Sequence, residues 1–334
     1  MEATSIPFDQ VGYIPSEFEK LTQGPTIYPV VVGHEIVGDA VRVGSSVTLV
    51  QKGQRVGVGA EALSCFTCPE CKSDNEQYCS KQVETYNARY ADGTPSYGGF
   101  ANYVRVHEKF VPLLIPSDFV RFVFPIPDGI PSELAAPLFC AGVTVFSPLS
   151  RSGVGPSSSV GIIGLGGLGH YAIMLARAMG AKRVVVLSHS LRKREDALAL
   201  GATDFIASSV AGEGWEKEYL RSLDVILCTA SFQESMPLAT YLSLLKVGGT
   251  FYSLGMPEGN LPAIPPVSLV YSNAALRGSN IGSRKEILEM LDLVDKRGVK
   301  SRVQLRKMKE GGQVLEEMEQ GKGRYRWVLE ADID

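Results

Sequence analysis

Residues 158–169 read Ser-Ser-Val-Gly-Ile-Ile-Gly-Leu-Gly-Gly-Leu-Gly, and this stretch decides the fold. The first six residues are a short apolar run that predicts a buried strand over 158–163. The turn Gly164-Leu165-Gly166-Gly167-Leu168-Gly169 follows at once. His170 to Met179 then carries apolar residues at helical spacing and stops at Gly180. A G-x-G-x-x-G string alone is a weak signal. Between a strand and a helix it is strong, because each glycine has a physical task. Gly164 makes the tight turn, Gly166 lets the backbone approach a pyrophosphate, and Gly169 lets the helix close on the strand. The unpaired amides and dipole at the helix start favour that anion.

Arg183-Val184-Val185-Val186-Leu187 predicts the second strand. A site for the unphosphorylated dinucleotide usually places Asp or Glu at the end of this strand, to bond the ribose 2′-hydroxyl. Here the chain continues Ser188-His189-Ser190-Leu191-Arg192-Lys193-Arg194, with no acid before Glu195. Ser188, His189, Ser190 and Lys193 are therefore expected to meet a 2′-phosphate, which favours NADP(H) over NAD(H). Cations at a helix start would otherwise oppose the dipole. Predicted helices over 193–200, 214–221 and 234–245 alternate with strands over 204–207, 224–228 and 250–254. That alternation makes a doubly wound parallel sheet of the α/β class. Residues 1–150 differ, with short Val- and Gly-rich strands, many turns and little helix, and they read as a β-rich domain.

Two domains also suit a chain of 334 residues. Lys and Arg total 33 against 36 Asp and Glu, a net charge of −3, which leaves no electrostatic footprint for nucleic acid or an acidic lipid surface. No apolar run reaches the ~18 residues needed to span a bilayer. Met1-Glu2-Ala3-Thr4-Ser5 has neither a basic nor an apolar leader region. A soluble, cytoplasmic protein is the expectation.

Four of the six cysteines, Cys65, Cys68, Cys71 and Cys79, form a C-x2-C-x2-C-x7-C cluster. Short gaps turn neighbouring thiolates inward on one loop, and the longer gap brings the fourth back. Four thiolates satisfy the tetrahedral preference of Zn²⁺ and leave no open position, so the expected site is structural. The loop around it, with Pro69, Ser73, Asp74 and Asn75, has too few apolar residues to order itself without metal. Cys228 lies in the apolar run Asp224–Cys228 and reads as a core thiol. Cys140 alone would read the same way.

With these features in place, the chain resembles the zinc-containing medium-chain alcohol dehydrogenases, most of all their NADPH-linked, cinnamyl-alcohol-dehydrogenase-like branch. The strings that carry the resemblance are Gly33-His34-Glu35-Ile36-Val37-Gly38, Arg55-Val56-Gly57-Val58-Gly59, the cysteine lobe (60–82), Gly98-Gly99-Phe100-Ala101, Ala136-Pro137-Leu138-Phe139-Cys140-Ala141-Gly142-Val143-Thr144, the glycine turn, Gly278–Arg284 and Arg324-Tyr325-Arg326. The resemblance implies a GroES-like catalytic domain split into 1–150 and 278–334 around a Rossmann domain at 151–277. It implies hydride transfer between NADP(H) and an aldehyde or primary alcohol. It carries cofactor contacts onto Thr144, Leu165, Gly167, Leu168, Ser253, Gly255, Ser279, Ile281 and Arg326, and implies a homodimer through edge strands of the nucleotide sheet. It makes His34 and Cys140 two of three protein ligands of a catalytic zinc that polarises the carbonyl oxygen, with Glu35 beside them.

The family's third ligand is an upstream Cys in a C-G-x-C-x-[ST]-D string. The matching position here is Gly12, and Val11-Gly12-Tyr13-Ile14-Pro15 supplies neither that thiol nor the relay hydroxyl. Residues 112–123 are extra relative to the family pattern. Asp9, Glu17 and Glu19 are the carboxylates that could stand in as a ligand. The alternative readings are therefore an NADPH-binding pseudoenzyme, or a repurposed reductase without catalytic zinc. Trp215 and Trp327 read as packing residues, and His170 as a residue that packs or caps at the helix start.

Overall fold

A computed structural model describes residues 3–7, 26–44, 47, 50–107, 122–230, 236–255 and 260–332. The chain divides into two compact units, Met1–Val143 with Ile281–Asp334, and Thr144–Asn280.

In the first unit the strands before residue 144 are β1 (Ala3–Pro7), β2 (Ile36–Asp39), β3 (Arg55–Val58), β4 (Glu61–Leu63), β5 (Val83–Glu84), β6 (Tyr103–His107) and β7 (Val123–Pro125). β2, β3 and β7 make one antiparallel sheet, β1 pairs with β6, and β4 with β5. Period-two alternation explains β6: Val104 and Val106 point into the core while Tyr103 and Arg105 stay exposed. Val104 and Val106 join Ile36, Val56, Val58 and Val123 in one apolar cluster. Each such side chain, fully buried, contributes roughly 1.5–3 kcal/mol. Gly57 in β3 has a steric purpose. A Cβ there would lie 2.0 Å from Cε2 and Cζ of Phe139. The Phe139 ring also stacks on Phe124 of β7, with centroids 5.7 Å apart. Cys140 is the next residue, so the seating of Phe139 fixes where that thiol stands. Helices α1 (Pro69–Lys72) and α2 (Ser132–Ala135) are single turns, and α3 spans Ala141–Arg151.

The second unit holds β8 (Ser159–Ile163), β9 (Arg183–Ser188), β10 (Asp204–Ala207), β11 (Leu223–Cys228), β12 (Leu245–Ser253) and β13 (Ala275–Gly278), with helices α4 (Gly167–Ala178), α5 (Arg194–Ala199), α6 (Leu238–Ser243) and α7 (Val267–Val270). The strand order is β10-β9-β8-β11-β12-β13, and every pair is parallel. This is the doubly wound arrangement expected from the sequence, with its switch point between β8 and β11. Val184, Val185 and Val186 are fully buried, as continuous apolar strands are when helices cover both faces.

Two predicted helices are corrected. Over 214–221 only a 3-10 turn forms, at Trp215–Tyr219, because Gly212 and Gly214 take left-handed backbone at φ 76° and 77°. Over 234–245 the helix is confined to α6. Pro237 stands before it, and Leu245 already belongs to β12, where it pairs with Leu223. Residues 231–235 lie outside the described residues.

The first unit closes with α8 (Arg284–Arg297), β14 (Val303–Lys307), α9 (Gly311–Glu319) and β15 (Arg326–Glu330), β14 and β15 being parallel. α8 starts on a full capping box. Ser283 Oγ accepts from the Glu286 amide, and Glu286 Oε2 accepts from the Ser283 amide. It ends at Gly298 in left-handed backbone at φ 60°. The cysteine loop is tied to this helix start. Glu76 Oε1 accepts from the Arg284 amide at 2.6 Å, and Asp74 faces Lys285 at 3.8 Å. A carboxylate at a helix N-terminus meets both unpaired amides and a favourable dipole.

Candidate functional site

The cysteine lobe brings its four thiols together. The sulfurs of Cys65, Cys68, Cys71 and Cys79 all lie within 4.8 Å of one another. Backbone amides point at them: Cys68 N–H at Cys65 Sγ (3.4 Å), Cys71 N–H at Cys68 Sγ (3.5 Å) and Lys81 N–H at Cys79 Sγ (3.4 Å). Burial opposes the Cys65 thiolate, yet hydrogen bonds from Thr67 and Cys68 outweigh it and bring that pKa down to about 5. Amides aimed at sulfur and four thiols gathered within 4.8 Å fit Zn²⁺, which binds thiolates at roughly 2.3 Å. All four cysteines predicted as structural ligands are therefore in one place.

The glycine turn leaves the end of β8 and starts α4. Gly164 adopts φ 89°, a conformation that L side chains rarely take. A Cβ on Gly169 would lie 2.2 Å from Gly164 O, whereas a Cβ on Gly166 would meet no atom within 4 Å. The third glycine thus permits close packing, and the second presents bare backbone on an open side, which fits a pyrophosphate. Thr229 Oγ1 donates to Ile163 O (3.0 Å) and stands 3.1 Å from Gly164 O, bracing the turn. Lys193 Nζ donates to Leu165 O at 2.6 Å. Ser188 ends β9, and His189 and Ser190 are exposed beyond it. Ser253 ends β12, Gly255 follows it, and Ser279 follows β13. Within this unit the predicted cofactor residues of the glycine turn and loops therefore sit at the carboxyl ends of parallel strands, where open α/β sheets bind ligands. Thr144 is buried on α3.

In the first unit His34 Nε2 stands 3.2 Å from Cys140 Sγ. Burial, helped by the charge of Arg326, lowers the His34 pKa to about 4, so the imidazole is neutral at physiological pH. Glu35 Oε1 accepts from the Ala141 amide at 3.0 Å and lies 3.9 Å from Arg326 Nη1. Burial raises the Glu35 pKa against the pull of Arg326 and that amide. Arg326, expected at the cofactor, faces Glu35 here, and Ile281 takes a positive φ of 35° just before the α8 cap. Among the described residues a cluster of three or more metal-ligating side chains occurs at the four cysteines alone. Catalytic zinc takes three protein ligands. His34 and Cys140 supply two, and Glu35 is already engaged, so the described residues do not fit that second metal. Gly12, Asp9, Glu17, Glu19 and most of the 112–123 segment lie outside the described residues.

One side chain at this site escaped sequence reasoning. Tyr86 stacks on His34, with ring centroids 5.8 Å apart and planes 16° from parallel. Its neighbours hold the backbone there: Thr85 Oγ1 and Thr85 N–H bond Gly59 O and Ala60 O, and Asn87 Oδ1 accepts from the Ile27 amide. Burial, then Glu84 and Cys140, push the Tyr86 hydroxyl up to about 12.

Two family descriptions match the chain: an alcohol dehydrogenase GroES-like domain over residues 3–117 and a zinc-binding dehydrogenase domain over 167–296. The NADP-dependent alcohol dehydrogenase 6 of Saccharomyces cerevisiae is 44% identical over 305 residues, covering 90% of this chain and 80% of that one. A probable cinnamyl alcohol dehydrogenase of Eucalyptus globulus is 43% identical over 309 residues, covering 92% and 82%. Among solved structures, a cinnamyl alcohol dehydrogenase from Sorghum bicolor superposes with a TM-score of 0.87 at 33% identity, over 99% of this chain and 92% of that one. The enzyme of that class from Helicobacter pylori, complexed with NADP(H), gives 0.82 at 31% identity, over 98% and 90%. Glycine turn, thiol lobe and sheet order agree with these matches, and the chain belongs to the zinc-type medium-chain alcohol dehydrogenase family, in its cinnamyl-alcohol-dehydrogenase-like branch.

Proposed function

We propose that this protein is an NADP(H)-dependent alcohol dehydrogenase acting as an aldehyde reductase on aldehydes and primary alcohols. The observation that carries the reading is the end of β9, where Ser188, His189, Ser190 and Lys193 stand without a carboxylate beside a glycine turn open at Gly166. When bound, NADP(H) supplies or accepts the hydride at the carbonyl carbon. Gly164 to Gly169 and the start of α4 hold the pyrophosphate, and the Ser188–Lys193 stretch holds the 2′-phosphate. Thr144, Ser253, Gly255, Ser279, Ile281 and Arg326 are assigned to the rest of the cofactor. Residues 151–277 form the cofactor domain, and 1–150 with 278–334 the catalytic domain. His34, Glu35 and Cys140 are assigned to the carbonyl end. Burial keeps His34 neutral and opposes the charge of Glu35, while the Arg326 guanidinium beside them pulls the other way on Glu35. Zinc in the cysteine lobe orders residues 65–79 and takes no part in the reaction.

A specific observation favours a second reading, an NADPH-binding protein without turnover: among the described residues His34 and Cys140 are two ligand atoms where the family's catalytic metal takes three. One experiment separates the two. NADPH is added to the purified protein, binding is followed by calorimetry, and an aldehyde is then supplied while nicotinamide absorbance is watched. Oxidation of NADPH supports the enzyme, binding without oxidation supports the second reading, and no binding sinks both. We also assign the protein to the cytoplasm as a homodimer. β13 is one of the sheet's two edge strands, and Val270 and Tyr271 just before it are exposed. Light scattering at twice the chain mass is the expected result.

A further inference from the structure

The chain that leaves the cysteine lobe carries Tyr86 to the side of His34. Beyond Cys79 it forms β5 and then presents Thr85, Tyr86 and Asn87. The two residues flanking Tyr86 pin its backbone. Thr85 N–H donates to Ala60 O at 2.9 Å, and Thr85 Oγ1 donates to Gly59 O. Asn87 takes left-handed backbone at φ 58°, which asparagine tolerates better than most L residues, and its Oδ1 accepts from the Ile27 amide at 2.8 Å. Anchored on both sides, Tyr86 is buried, and its ring lies 16° from parallel to the His34 imidazole with centroids 5.8 Å apart. That separation and angle are those of an offset aromatic stack. His34 Nε2 in turn stands 3.2 Å from Cys140 Sγ.

We propose that Tyr86 is a positioning residue for the reaction: its ring face holds the His34 imidazole in the plane that aims Nε2 at Cys140. The inference rests on the reading of the chain as an alcohol and aldehyde oxidoreductase, in which His34 and Cys140 serve the carbonyl end. The torsion that turns an imidazole about its Cβ–Cγ bond is broad and roughly two-fold, so placing the backbone does not by itself fix the direction of Nε2. A flat ring lying along the imidazole restricts that rotation in a way that an aliphatic side chain of similar bulk does not. Alignment matters here because rate depends on reacting groups held close to their productive geometry. The stack is made by the ring face, so the Tyr86 hydroxyl is not needed for it.

The test compares Y86F, which keeps the ring, with Y86L and Y86M, which remove it. Two ringless variants cover the case that one of them fails to fold. Each protein is labelled with nitrogen-15 histidine. The chain has four histidines, and H34Q identifies the His34 signals by their loss. Long-range proton–nitrogen spectra then read the His34 ring, and steady-state rates with NADPH and benzaldehyde give kcat and KM. The wild type and Y86F are expected to share one His34 pattern. In Y86L and Y86M the ring nitrogens depart from it, and the ring protons lose the upfield shift that a neighbouring aromatic face imposes. In the same two variants kcat falls about fivefold, the size of effect that an aromatic pair supplies, while KM and the Kd for NADPH hold. A tyrosine that only supports the fold would lower the melting temperature and leave the His34 signals in place. Wild-type His34 signals in a folded ringless variant, or a Y86F spectrum that departs along with the ringless ones, overturn the proposal. A wild type that binds NADPH without oxidising it removes the oxidoreductase reading instead, and the His34 spectra then decide the positioning on their own.

Discussion

Replacing Gly166 and Gly169 one at a time by Ala separates what the glycine turn does for the fold from what it does for the cofactor. A Cβ on Gly169 falls 2.2 Å from Gly164 O and 3.1 Å from Thr229 Oγ1. Reaching an ordinary contact of about 3.4 Å requires helix or turn to retreat by about 1.2 Å. The obstacle is backbone braced by Thr229, so strain of this kind costs roughly 1–3 kcal/mol or more. The amides at the start of α4 move with it, and NADPH binding weakens as well. Gly166 behaves differently. Its Cβ would meet nothing, and its φ of −123° is open to Ala, so Gly166→Ala should change apo stability by less than about 1 kcal/mol. The methyl would occupy the approach of the pyrophosphate and weaken NADPH at least tenfold, about 1.4 kcal/mol. Denaturant titration gives the stabilities, and quenching of tryptophan fluorescence by NADPH gives the affinities. Wild-type NADPH affinity in Gly166→Ala, or equal destabilisation by both substitutions, would refute the assignment of the turn.

Ser188→Asp places a carboxylate at the end of β9. At about 4 Å from a phosphate carrying about two charges it repels by roughly 2 kcal/mol even at water's dielectric constant, so the NADPH-to-NADH affinity ratio should fall at least about 30-fold in a paired titration. An unchanged ratio would remove the 2′-phosphate from this strand end. Elemental analysis should find lobe zinc in the wild type and little of it in Cys68→Ser, with new proteolytic cuts between residues 65 and 79. Full zinc retention in that variant would count against the S4 site. Glu61 of β4 adds a pH dependence of stability. Burial first, then Glu76 and Cys79, raise its pKa from 4.5 to about 9 against the charge of Arg284, so the native state keeps a proton which the unfolded chain releases. Stability from this group is therefore complete below about pH 4.5 and is lost as pH rises toward 9. Thermal melts of Glu61→Gln should fall less between pH 5 and pH 8 than those of the wild type, and parallel curves would contradict this.

The nucleotide-binding unit was legible because its signals are local. A buried strand, three glycines and a helix follow one another without a gap, and Val184 to Leu187 could only be a covered strand. The cysteine spacing was legible for the same reason, since four ligands of one metal lie on one loop. Two helices were misjudged where glycine at 212 and 214, or the pairing of Leu245 with Leu223, overrode an apolar spacing that suited a helix. The assignment of a carbonyl end rests on family strings alone. The His34-Glu35 pair, Cys140 and Arg326 are far apart in sequence, and no periodicity joins them. Tyr86 and Glu61 were invisible for a related reason. A tyrosine or glutamate on or beside a short strand reads as an ordinary residue until its neighbour proves to be an imidazole ring or its carboxyl proves to be buried.

The hydrogen bond from the Arg284 amide to Glu76 joins residues 208 positions apart. During synthesis the cysteine loop emerges early, while its docking point is translated only after the whole nucleotide-binding unit. Metal can order the loop meanwhile, but Glu76 must wait, solvated, for the helix start that completes its surroundings. Contacts of such long sequence separation form late and slowly. A ribosome stalled before residue 284 would therefore display the cysteine loop without its anchorage.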